Sequence, residues 1–87
     1  MKIFTHKRFD KRFRKLREGE RERFCGRRDA FLRNQFDPIL ENHPLHGEYA
    51  GWRSINVGGD LRAVYRMVDE DTAYFIALGA HPELYGS

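Results

Sequence analysis

The sequence predicts an α+β domain, β-α-α-β-β-β, built as a twisted antiparallel sheet with two helices packed on one face. Three observations predict it. Residues 52–78 hold three strand-like runs separated by the polar turns Gly58-Gly59-Asp60 and Asp69-Glu70-Asp71, and short turns between successive strands make an antiparallel meander. Phe9, Phe13 and Leu16 fall at i, i+4 and i+7, the repeat of one helix face. Phe24, Cys25, Phe31 and Leu32 mark a second apolar helix face, and the inward side of the meander is the surface both helices need to cover.

Taken in order, Lys2 to Phe4 is a short edge strand that joins the meander. Thr5 is the expected N-cap of the first helix, because its hydroxyl can accept from a free backbone N–H. Gly19 ends or interrupts that helix, and a second helix is expected from Glu20 to about Asn34. Gly26 weakens it, since a glycine inside a helix costs about 1 kcal/mol relative to alanine. The connection from Phe36 to Tyr49 is broken by Asp37-Pro38 and His43-Pro44, where the residue before proline is pushed out of helical backbone. Ile39, Leu40 and Leu45 are the residues expected to pin this loop to the sheet.

Three strands follow. From Trp52 to Val57, Arg53, Ile55 and Val57 share one face and Trp52, Ser54 and Asn56 the other. Leu61 to Val68 sets Arg62, Val64 and Arg66 opposite Leu61, Ala63, Tyr65 and Met67, and Thr72 to Leu78 is a third run of β-branched and aromatic residues. Ser54, Asn56 and Arg62 then share a face, and the tail can bring His81 and Tyr85 near it.

Eighty-seven residues make one domain, residues 1–87, with no internal repeat or linker. A single cysteine, Cys25, excludes an intramolecular disulfide, no apolar run reaches the length of a membrane span, and Met1 to Phe4 is too short for a signal peptide, so a cytoplasmic protein without membrane association is expected. The net charge of +3 is unevenly distributed. Residues 1–35 carry 13 Lys and Arg against five Asp and Glu, net +8, whereas residues 36–87 are net −5. A basic half of this strength fits either a solvated helix surface or a polyanionic partner, and for the whole cluster nucleic acid is favoured.

The histidines are His6, His43, His46 and His81. His43 and His46 lie three apart in a proline-broken loop and Cys25 sits on an apolar helix face, so neither a metal site nor Cys-His catalysis is expected. Gly58-Gly59 belongs to a hairpin and not to the start of a helix, which excludes a phosphate-cradling loop. What remains is His81, with Arg62, Asn56, Asp60, His43 and Tyr85 as neighbours. Histidine moves protons near neutral pH and arginine stabilises a phosphate gaining charge, a set suited to RNA cleavage by the ribose 2′-OH. Equally, His81 reads as a histidine packing the chain end, Arg62 as a solvent-facing strand arginine, and Tyr85 as an anchor for the last turn.

The runs His43-Pro44-Leu45-His46-Gly47, Gly51-Trp52-Arg53, Asp60-Leu61-Arg62-Ala63-Val64-Tyr65-Arg66 and Gly79-Ala80-His81-Pro82-Glu83-Leu84-Tyr85-Gly86 together resemble the RelE/ParE toxin superfamily, and within it the YafQ branch. The resemblance implies the toxin of a type II toxin–antitoxin pair, an endoribonuclease that cuts mRNA in the ribosomal A site without a metal or other cofactor. It also implies a cognate antitoxin, ribosomal RNA and mRNA as partners, helices on one face of the sheet and the active site on the other. By the same resemblance His81 matches the principal catalytic histidine and His43 a second one. Asp60 matches an active-site aspartate, Arg62 the phosphate-stabilising arginine and Tyr85 an active-site aromatic. Asn56 stands where relatives carry histidine or lysine, and Ser54 also replaces a polar or charged residue. These two, with Tyr85 and Arg53, form the expected substrate-binding set. The alternatives within the superfamily are a gyrase-inhibiting toxin and a catalytically inactive binding member.

Overall fold

The computed structural model describes residues 1–85. Its elements are β1 (Lys2–Thr5), α1 (Lys7–Arg14), α2 (Glu18–Arg33), β2 (His43–Pro44), β3 (Arg53–Gly58), β4 (Leu61–Asp69), β5 (Thr72–Ala80) and α3 (His81–Tyr85), with 3₁₀ turns at Pro38–Leu40 and Gly47–Tyr49. Gly86, the last residue of the tail run, lies outside the described residues.

The α+β class and the predicted element order hold, and the sheet gains a strand. Its order is β1-β5-β4-β3-β2. The meander β3-β4-β5 is antiparallel, but β1 runs parallel to β5, so the sheet is mixed and not wholly antiparallel. No hairpin turn joins β1 to β5, which leaves the parallel pairing open to them. Lys2 N–H donates to the Asp71 carbonyl at 2.7 Å and His6 N–H to that of Phe75 at 2.9 Å, bracketing the pair. The added strand β2 is two residues long and lies on the opposite edge, against Ser54 and Arg53 of β3. Pro44 is tolerated there because an edge position asks for no second ladder hydrogen bond.

The helix boundaries differ from expectation at three points, each for a local reason. The N-cap of α1 is His6 and not Thr5: the His6 Nδ1 accepts the Arg8 N–H at 3.0 Å, while the Thr5 hydroxyl donates to Asp10 at 2.6 Å. The break between helices falls at Lys15-Leu16-Arg17, ahead of Gly19. Lys15 and Leu16 N–H groups close onto the Arg12 and Phe13 carbonyls at 3.1 Å, and Glu20 accepts the Arg17 N–H at 3.0 Å, starting α2 at Glu18. On α2, Phe24, Ala30 and Phe31 are buried, Cys25 is half-buried, and Leu32 is 40% exposed. Leu32 is one residue, about 100° of helix, past Phe31, which carries it off the sheet-facing stripe.

Helices α1 and α2 cover one side of the sheet, where Ile55, Val57, Leu61, Ala63, Tyr65, Ala73, Phe75 and Leu78 join Phe9, Phe24 and Phe31. At its centre Phe31 meets Tyr65 edge-on at 5.0 Å and Phe75 at 5.5 Å, and Tyr65 stacks on Phe75 at 5.1 Å. The Tyr65 hydroxyl accepts from Gln35 at 2.8 Å and Asn42 at 2.7 Å, so this fully buried phenol is satisfied. Of the three residues expected to pin the loop, Leu40 is fully buried, Leu45 half-buried, and Ile39 50% exposed.

A register shift in the β4–β5 pairing sets the opposite, open face. Val64 pairs with Ala77 and Tyr65 with Phe75, leaving Ile76 as the extra residue of a bulge. Phe75 and Leu78 consequently both point to the helices, and Tyr74, Ala77 and Gly79 to the open side.

Candidate active site

Cross-strand register arranges the open face in rows, since paired residues project to the same side. One row is His43, Ser54, Val64 and Ala77; the next is Asn56, Arg62 and Gly79. Ser54 and Val64 are fully buried on this face, and the tail folds back to reach Ser54. After β5 the chain turns into α3, pinned by the His81 N–H donating to the Asp60 carbonyl at 3.0 Å. The His81 ring packs edge-on against Tyr85 at 4.7 Å. Tyr85 in turn donates its hydroxyl to Ser54 Oγ at 3.0 Å and meets Tyr49 edge-on at 5.9 Å.

The β3–β4 turn brings Asp60 and Arg62 to the same end. Gly58 carries a φ of +115° and Gly59 one of +56°, both in the region glycine favours. The Gly58 N–H donates to Asn56 Oδ1 at 2.6 Å, and a Cβ at Gly58 would stand 3.1 Å from the Arg23 side chain. The Arg62 guanidinium curls back to the Gly59 carbonyl at 2.9 Å and that of Leu61 at 3.1 Å. Asn56 donates to Glu41 Oε2 at 3.2 Å.

Glu41 has left-handed backbone, φ 46°, in a non-glycine residue. Its carbonyl lies 2.8 Å from His43 Nδ1. One strained residue therefore holds both His43 and Asn56.

The fold thus gathers His81, Tyr85, Ser54, Asn56, Arg62 and the Asp60 backbone at one end of the open face, with His43 entering from the edge strand. His81, His43 and Asp60 are exposed. Among the described residues no hydrogen bond joins any two of the His81, His43, Arg62 and Asp60 side chains. Arg53 is separated from the rest. It pairs with Tyr65 on the helix-covered side, donates to Asn42 Oδ1 at 2.7 Å and lies 5.3 Å over the Phe36 ring. Strand alternation puts it there, on the side away from the open face.

Besides Glu41, three residues that were assigned no role from the sequence belong to this arrangement: Tyr49, Glu83 and Arg12. Tyr49 supports Tyr85 and carries no sequence signal. Glu83 accepts the Ala80 N–H at 2.9 Å, a contact that the three-residue spacing of a helix-start carboxylate could have revealed. Arg12 donates to the same Glu83 oxygen at 3.0 Å, and together these contacts hold the Glu83 carboxyl below the usual glutamate range, the Ala80 N–H most of all. Among the described residues, no three His, Cys, Asp or Glu side chains cluster as a metal would need.

No protein-family model matches the sequence, and a comparison with curated proteins finds no match. Solved structures do match. A YoeB/ParE toxin from Agrobacterium tumefaciens is 20% identical with a TM-score of 0.79, over 93% of this chain and 99% of that one. A copper-bound mutant toxin from Helicobacter pylori is 25% identical at a TM-score of 0.71, over 98% and 99%. The DinJ-YafQ toxin-antitoxin complex of E. coli contributes a chain 21% identical at a TM-score of 0.66, over 97% and 96%. The chain has the fold of the RelE/ParE-type toxins, with YafQ among its structural neighbours.

Proposed function

We propose that the protein is the toxin of a type II toxin–antitoxin pair and an endoribonuclease that cuts ribosome-bound mRNA by 2′-OH attack, without a metal ion. The observation that carries this reading is the joining of His81, Tyr85 and Ser54 above a sheet end that also bears Arg62. A proton-transfer group and a guanidinium on one open face are what attack of a ribose hydroxyl on its own phosphate requires. The toxin-like fold, shared with a chain solved in a toxin–antitoxin complex, supports the antitoxin as partner.

In this mechanism His81 is the first acid–base group. It takes the 2′-OH proton or delivers one to the leaving 5′-oxygen, and His43 from β2 serves the other side of the phosphate. Arg62 releases the two turn carbonyls and turns its donors onto the phosphorane, where charge-assisted contacts are stronger than those to neutral carbonyls. Asp60 orients a histidine or the RNA through its exposed carboxylate. Tyr85 holds a base, and Asn56 and Ser54 hydrogen-bond the sugar–phosphate chain. The basic helices dock on ribosomal RNA, and the antitoxin restrains the toxin by covering the groove or the helices.

The test is expression of the wild-type chain and of His81→Ala, with mRNA from the arrested cells mapped for cut sites. Translation arrest with cut mRNA in the wild type alone supports the nuclease. A second reading, a binding member without catalysis, is favoured by one observation: Arg62, Asn56 and the Tyr85 hydroxyl all spend their hydrogen bonds within the protein. Absence of cut mRNA with retained antitoxin binding would select it, whereas DNA damage and filamentation would select the gyrase poison.

A further inference from the structure

The open face carries a second cluster beyond the candidate active site. In the next row, two residues on from Ser54 and Val64 and three from Ala77 across the Ile76 bulge, Trp52, Arg66 and Tyr74 come together, with His6, the residue after β1, beside Tyr74. The Arg66 guanidinium lies 4.9 Å from the Trp52 ring centre, Trp52 is 6.3 Å from Tyr74, and Tyr74 is 6.4 Å from His6. Trp52, Tyr74 and His6 are half-buried and Arg66 is exposed, so each keeps surface toward solvent. The core lies on the other side of the sheet and uses none of the four.

We propose that this row is a stacking platform for bases of single-stranded RNA flanking the cleaved phosphate, an inference that rests on the nuclease reading above. Three features favour RNA over a protein partner. Aromatic faces interleaved with a guanidinium are what sequence-tolerant base stacking uses. The strand positions Trp52, Ser54, Asn56, Arg62, Val64, Arg66, Tyr74, Ala77 and Gly79 are all neutral or cationic, and the Glu41 carboxylate that reaches this face is engaged by the Asn56 amide. The platform is also continuous with the candidate active site. Its row stands two strand residues, roughly 7 Å, from the Ser54 row and as far again from Arg62, so a strand whose phosphate sits at Arg62 passes Tyr85 and then reaches Trp52.

The chain has a single tryptophan, so its emission reads the platform directly. The probe is a short 2′-O-methyl oligouridylate, which lacks the attacking hydroxyl and binds without being cut. Titration into the wild-type protein should quench Trp52 emission. Tyr74→Leu and Arg66→Ala should each weaken binding about 5- to 150-fold, the range for loss of one stacked base. Arg66→Ala alters only an exposed side chain and so keeps the test alive if Tyr74→Leu fails to fold. Arg66→Lys should recover only part of the loss, because lysine restores charge without a plane.

Oligonucleotide binding that leaves Trp52 emission and the variants' affinities unchanged would overturn the platform. So would full rescue by lysine, no binding at all, or quenching by an acidic peptide and not by RNA, which would make this face a protein contact. Cutting of mRNA in a translation extract is scored separately. Cutting without quenching leaves the nuclease reading and removes the platform; quenching without cutting does the reverse.

Discussion

Arg12 and Glu83 stand 71 residues apart and meet at 3.0 Å, where the same carboxylate oxygen also accepts the Ala80 N–H at 2.9 Å. One carboxylate thus ties α1 to the first turn of α3, the helix that presents His81 and Tyr85. Loosening it should loosen the tail. Glu83→Gln keeps an acceptor for Ala80 but loses the charge facing Arg12, and Glu83→Ala loses both. Cleavage should therefore fall in the order wild type, glutamine, alanine, with global stability nearly unchanged because the pair is exposed. The Glu83 pKa is lowered in the fold, by the Ala80 N–H first and Arg12 second. Its stabilisation is therefore complete above the ordinary glutamate value of ~4.3 and is lost as pH falls through the lowered one. Protection factors in α3, taken against the intrinsic exchange rate at each pH, should fall on acidification through that window in the wild type and stay flat in Glu83→Gln. Equal acid response in the two proteins would mean that the pair does not hold the tail.

Arg62 tests charge against geometry. Arg62→Ala should abolish most cleavage, and Arg62→Lys should restore only part of it, because lysine lacks the planar two-pronged donor. Single-turnover rates on ribosome-bound mRNA measure this, and equal rates for lysine and arginine would reduce Arg62 to a diffuse electrostatic contact.

In the core, Tyr65→Phe leaves the packing intact but strips the acceptor from Gln35 and Asn42. Unfolding in urea should show a loss of about 1–3 kcal/mol, the cost of unmet buried polar groups. A loss below ~0.5 kcal/mol would show that water replaces the phenol.

The basic surface needs a more selective test than its sequence suggests. Arg27 donates to the Ile39 and Asn56 carbonyls, Arg21 to that of Leu16, and Arg12 is committed to Glu83. Lys11, Arg14 and Lys15 are exposed. Reversing these three to glutamate should weaken ribosome binding and flatten its log–log salt slope, with the fold kept. Affinity indifferent to both reversal and salt would return the helices to an ordinary solvated surface.

Much of the fold was legible because β3 alternates: Ile55 and Val57 against Ser54 and Asn56 already separate core from open face. The bulge at Ile76 was hidden, since Phe75, Ile76, Ala77 and Leu78 form a continuous apolar run in which one extra residue leaves no mark. The β1–β5 direction was hidden too, because four residues carry no sign of parallel or antiparallel pairing. At the site, the placement of Ser54, Asn56 and Arg62 on one face followed from periodicity alone. Glu41 and Tyr49 did not, because a left-handed glutamate and a loop aromatic acquire their roles only from the path of the 36–52 connection. Arg53 was read on the face of Ile55 and Val57, where its pairing with Tyr65 puts it, and its place in the substrate-binding set ran against that alternation.

His81 is where the account is most exposed. In His81→Ala, α3 retains the Asp60 backbone tie and the Glu83 contacts, so the protein should fold as the wild type does. The decisive measurement is the rate at which purified protein cuts mRNA on programmed ribosomes. We predict a fall of about 10²–10⁴-fold for His81→Ala, the usual worth of an acid–base group. Wild-type cutting by a folded His81→Ala protein would contradict the mechanism at its centre.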